Sequence, residues 1–81
     1  MFFLVDYERP TGKLIALREF SEDERRLAET ARLDLELRLF RQGIEREVVL
    51  LDAPSLEALK RTHRRYFEDL PQLVRSSTTT S

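Results

Sequence analysis

The sequence predicts a small α+β domain, a ββαβα two-layer sandwich in which a three-stranded antiparallel sheet of order 2-1-3 carries two helices on one face. Three observations lead there. Two apolar runs flank Pro10-Thr11-Gly12; a capping sequence opens a long leucine-rich segment at Ser21; and the apolar run Val48–Leu51 precedes a second capped segment at Ser55. A helix joining the second strand to the third has to cross the sheet, and a right-handed crossover sets the third strand beside the first and antiparallel to it.

Residues 2–9 (FFLVDYER) and 13–20 (KLIALREF) read as a hairpin, with Pro10 fixing φ early in the turn and Gly12 able to take a left-handed position late in it. With Arg9 opposite Lys13, the pairs Tyr7/Ile15, Val5/Leu17 and Phe3/Glu19 share one face. Glu8/Leu14, Asp6/Ala16, Leu4/Arg18 and Phe2/Phe20 share the other. The first set is the more apolar and is the expected core face. The second keeps Phe2, Leu4, Leu14 and Phe20, which is more apolar surface than a solvated face usually carries.

Ser21 and Glu24 form a capping box, and Glu22 and Asp23 add negative charge where the helix dipole favours it. A helix from here has Gly43 as its natural terminator. Its apolar residues fall on two stripes: Leu27, Ala28, Ala31, Leu35 and Leu39 on one, and Leu33, Leu37, Phe40 and Ile44 on the opposite one. A competing reading ends the helix near Ala31 and makes Leu33–Phe40 a strand, because leucine alternates with charge from Leu33 to Leu39. The absence of β-branched residues in that stretch favours the helix, and on a helix the alternation becomes burial on two sides.

The stretch EREVVLLD supplies the densest β-branched run and, apolar on both sides of the pleat, reads as an interior strand. Pro54 ends it, and Ser55 caps a second helix expected to run to Leu70 before Pro71, with Leu56, Leu59, His63, Tyr66, Phe67 and Leu70 on one stripe. Residues 1–70 are thus a single domain, and 71–81 a flexible polar tail.

The 81 residues include no cysteine, which excludes disulfides and thiolate metal sites. Acids and bases nearly cancel, 15 against 14, so no net field draws nucleic acid or an anionic surface. The apolar start MFFLV is too short for a signal peptide, and no run approaches the roughly 20 apolar residues that cross a bilayer. A soluble cytoplasmic protein with no membrane association is expected. A domain of this size buries a modest core and gains from a partner.

No catalytic constellation is identifiable. His63, the only histidine, has no second ligand or ordered nucleophile in the pattern; it reads as a packing residue whose ring lies beside Tyr66 and Phe67, and with Tyr66 it marks the one place for a small-molecule pocket. Lys60, Arg61, Arg64 and Arg65 form a basic patch, but Glu57, Glu68 and Asp69 stand at helical spacing to neutralise three of them. Asp6 and Glu19 are the carboxylates placed nearest apolar surroundings, without a partner arrangement that does acid–base work. Both glycines are explained by turns, leaving no phosphate loop.

The sequence therefore points away from an enzyme and a cofactor. It points to a structural or protein-interaction module acting as a homo-oligomer, most simply a homodimer, with Leu33, Leu37, Phe40 and Ile44 as the interface. A nucleic-acid-binding module using Lys60, Arg61, Arg64 and Arg65 is the alternative and the disfavoured one.

Overall fold

The computed structural model describes residues 1–67. Strands β1 (Phe2–Glu8) and β2 (Lys13–Phe20) form the hairpin, helix α1 (Arg25–Gln42) follows a 3-10 turn at Glu22–Glu24, and strand β3 (Glu47–Asp52) precedes helix α2 (Leu56–Thr62) and a second 3-10 turn at Arg64–Phe67. The sheet is antiparallel with the order β2-β1-β3, as the crossover argument requires. The expected tail at 71–81, and Leu70 with its place on the second helix, lie outside the described residues.

The hairpin register matches expectation from Phe2↔Phe20 to Asp6↔Ala16 and then slips, so that Tyr7 faces Leu14 and Glu8 faces Lys13. One extra residue on β2 is accommodated there, as in a β-bulge. The slip corrects the predicted partner of Tyr7: Leu14 moves to the Tyr7 side and packs against Val5, Tyr7 and Tyr66, while Ile15 is left exposed. At the tip, Gly12 takes φ 70° and donates its N–H to the Arg9 carbonyl at 3.2 Å.

Ser21 starts the helical segment as expected. Its N–H donates to Glu24 Oε1 at 2.8 Å, and its hydroxyl donates to the Asp23 carboxylate, holding that carboxyl below its ordinary pKa. α1 then runs through Leu33–Phe40 without a break, so the strand alternative for that stretch does not hold. It ends in a Schellman motif: Gly43 takes φ 67° and donates to Phe40 O at 3.1 Å, and Ile44 donates to Leu39 O at 2.9 Å.

The helices do not share a face, which corrects the two-layer arrangement. Ala28, Ala31 and Leu35 of α1 pack with Phe2, Leu4, Phe20, Val48 and Leu50. Leu59 of α2 packs with Phe3 and Ala53, and Tyr66 with Val5 and Tyr7. Successive side chains of β1 point to opposite sides of the sheet, so α1 lies on one face and α2 with its following turn on the other. The physical reason is in the strands. β1 and β3 are apolar at consecutive positions, Phe2–Val5 and Val48–Leu51, and each face needs its own cover. The second hairpin face, which looked too apolar for solvent, is the one α1 covers. β3 is correspondingly an edge strand rather than an interior one; its two-sided apolarity reflects layers above and below, not neighbours on both edges.

The second helix is also shorter than expected. Ser55 Oγ accepts the Ala58 N–H at 3.1 Å, but α2 stops at Thr62 and His63 leaves helical geometry at φ −126°. The change of direction lets Tyr66 and Phe67 turn onto the sheet beside Leu59.

Candidate functional site

α1 presents two sides of different fate. Ala28 and Leu39 are buried and Ala31 and Leu35 half-buried toward the sheet. On the far side Leu33 is 54 % exposed, Leu37 42 %, Phe40 82 % and, just past the helix, Ile44 40 %. The residues expected to form an interface are therefore brought together as an uncovered apolar stripe. Leu27, expected on the sheet side, is exposed as well, since the helix meets the sheet through Ala28 and Ala31 and leaves Leu27 on the rim. Along the exposed surface Arg25 pairs with Glu29 at 3.2 Å and Arg32 with Glu36 at 4.0 Å.

At the C-terminal end of α1 the stripe runs into an open groove of about 710 Å³, whose walls include Leu39, Phe40, Ile44, Arg9, Pro10 and Val48. Arg46 also lines it. Asp6 and Val48 are opposite each other on β1 and β3, so both side chains emerge on this face. Asp6, 5 % exposed, is the one buried charged residue among the described residues, and it is held by Arg46 Nη1 at 3.2 Å from Oδ2. Burial pushes its carboxyl above the ordinary value, Arg46 pulls the other way, and Glu8 adds to the rise. Asp6 Oδ1 and Arg46 Nε have no protein hydrogen-bond partner among the described residues. Of the two carboxylates expected nearest apolar surroundings, Asp6 is buried, whereas Glu19 is exposed on the edge strand, which corrects that expectation. Arg46 gave no signal beyond being charged at the start of an apolar strand.

On the other face a second polar cluster gathers around Glu47. Tyr66 Oη donates to Glu47 Oε2 at 2.5 Å, Arg65 Nη2 donates to the same oxygen, and Arg9 Nε lies 3.6 Å from Oε1. The tyrosine hydroxyl, more than the two arginines, holds the Glu47 carboxyl below its usual pKa, while burial raises that of Tyr66. The Arg65 guanidinium sits 4.5 Å from the Tyr66 ring centre and 5.6 Å from that of Tyr7, and the two tyrosines meet edge to face at 5.0 Å. Pattern reading missed this cluster because it joins residues far apart in the chain.

The cluster divides the basic patch. Arg65 is engaged with Glu47 and two rings, and Tyr66 is buried and presents no open ring for a base to stack on. Lys60 lies 5.9 Å from the Phe67 ring centre, and Lys60, Arg61 and Arg64 are exposed. Glu68 and Asp69, the expected partners of Arg64 and Arg65, lie outside the described residues. His63 is half-buried rather than in the core; its ring stacks near Tyr66 at 6.4 Å and its Nδ1 is 3.0 Å from the Thr62 hydroxyl. The groove lies by α1, not beside His63 and Tyr66.

Among the described residues no group of three or more His, Asp or Glu side chains could hold a metal ion, and no helix is long and apolar enough to cross a membrane. Comparison of the chain with family models, curated proteins and solved structures finds no match.

Proposed function

We propose that this chain is a small protein-interaction module that works as a homodimer through the outer side of α1, as a soluble cytoplasmic protein and without catalysis of its own. The observation that carries the reading is the uncovered stripe of Leu33, Leu37, Phe40 and Ile44. Three large apolar side chains on one side of α1 and a fourth just past its cap form an apolar patch, and patches of this kind mark protein contacts rather than ordinary surface. Both faces of the sheet already have their cover in α1 and in α2 with its following turn, so the stripe is left for a second molecule. A second copy supplies an identical stripe, which makes the contact self-complementary about a two-fold axis.

The polar clusters fit structural roles beside this surface. Asp6–Arg46 and Glu47–Tyr66–Arg65 both tie the start of β3 to its surroundings, one on each face of the sheet. Light scattering of the full chain at tens of micromolar tests the reading: a dimer mass agrees with it, and a monomer mass throughout that range contradicts it.

A further inference from the structure

We infer that the two copies pair with their α1 helices antiparallel, crossing between Leu37 and Phe40, with Asp34 of each facing Arg41 of the other; this rests on the dimer reading above. Leu33, Leu37 and Phe40 are spaced four and three residues apart, the spacing of a coiled-coil seam, and Ile44 follows just past the Gly43 cap. Continued toward the helix N-terminus, the same seam passes through Thr30 and Arg26. The apolar part thus occupies only the C-terminal half of α1.

A parallel pair aligns whole helices. It sets Arg26 against its own copy on the seam and brings Glu29 toward Asp34 of the partner subunit, since coiled-coil flanks meet five residues apart in that orientation. Both contacts repel, and the attraction that the same spacing gives between Glu36 and Arg41 of the partner subunit offsets only one of them. An antiparallel pair overlaps only the apolar halves. Leu37 then opposes the partner's Phe40, Leu33 opposes the partner's Ile44 at the mouth of the groove, and Arg26 stays clear of the partner helix.

The flanking charges agree. Asp34 and Arg41 lie seven residues apart on one flank of the seam, so antiparallel pairing brings each to the other twice. Neither has an ion-pair partner among the described residues, although Arg38 stands four residues beyond Asp34. On the opposite flank the two copies of Glu36 are staggered by about five residues, roughly 7 Å along the axis, and each keeps its own Arg32 at 4.0 Å.

The chain has no cysteine, so Arg26→Cys accepts a single spin label. Dipolar spectroscopy on the full-length dimer should give a label separation of roughly 35–40 Å, the axial distance set by the rise of 1.5 Å per residue. Asp34→Arg or Arg41→Asp alone should raise the dimer Kd about tenfold, and the two together should return it to near the parent value. A label separation below about 20 Å in a sample of dimer mass, or tighter dimers in Asp34→Arg, overturns the antiparallel arrangement and leaves the dimer itself standing. A monomer mass for the unsubstituted chain overturns both.

Discussion

Arg46 holds Asp6 through one contact, Nη1 to Oδ2 at 3.2 Å, at a place where the carboxylate is almost wholly out of water. The pair bridges the start of β3 to β1 on the face that α1 covers, beside the groove at the C-terminal end of that helix. Desolvation makes such pairs poor net stabilisers, but removing one partner exposes the full cost of the other. Arg46→Ala should therefore cost about 3 kcal/mol in urea unfolding at pH 7. Arg46→Met with Asp6→Leu should cost less than Arg46→Ala alone.

The pH dependence of this pair has a definite sign. The folded-state pKa of Asp6 lies above its ordinary value, so its protonation favours the fold: the gain is fully present below the unfolded carboxylate pKa and is lost as pH rises through the folded one. Against Asp6→Asn as reference, the parent chain should gain stability as pH falls from neutral through the Asp6 titration. Arg46→Ala, which removes the influence that lowers this pKa, should move the onset to higher pH. Thermal melts of the three proteins between pH 3 and 8 measure it.

Glu47 should behave in the opposite way. Its folded pKa is held down first by the Tyr66 hydroxyl, so its contribution is present above the unfolded carboxylate pKa and is lost as pH falls through the folded one. Tyr66→Phe should cost about 1 kcal/mol at neutral pH, the worth of one hydrogen bond. The difference between parent and variant should shrink in acid. A difference that grows on acidification contradicts the assignment.

The placement of the helices on opposite faces predicts independence. Leu59→Ala removes a fully buried side chain under α2 and should cost about 2–5 kcal/mol. Leu35→Ala, half-buried under α1, should cost less. Because they belong to separate clusters with β1 between them, the double variant should equal the sum within about 0.5 kcal/mol. Side by side on one face they would couple.

Gly43 isolates a backbone effect. A Cβ there meets no atom within 4 Å, so Gly43→Ala adds no clash and carries only the strain of φ 67°. The expected cost is about 1–2 kcal/mol, and Gly43→Asn should cost less, since asparagine tolerates this region.

Much of this fold can be read from short-range signals, because those signals are local physics. Ser21 with Glu24 and Gly43 bracket a helix by satisfying its own end groups, and Pro10-Thr11-Gly12 bends a hairpin by dihedral preference. The strand order follows from chain connectivity. What was not legible depends on contacts distant in sequence. The slip at Asp6/Tyr7 turns on which of Leu14 and Ile15 finds room under Tyr66, some fifty residues on. The face taken by α2 turns on two-sided strands, which look alike whichever helix covers which side. The α1 stripe was visible as periodicity, whereas the Glu47 cluster, joining Arg9, Glu47, Arg65 and Tyr66, left no pattern in the sequence.

The mass of the chain in solution tests the proposed dimer most directly, measured by sedimentation equilibrium for the parent and for Leu37→Asp with Phe40→Asp. Both substitutions lie on the exposed stripe, away from the core, so the variant should keep the circular dichroism of the parent. The parent should sediment at twice the 9.6 kDa of the chain and the variant at 9.6 kDa. A parent that stays at 9.6 kDa at tens of micromolar, or a folded variant that still sediments as the dimer, contradicts an interface built on Leu33, Leu37, Phe40 and Ile44.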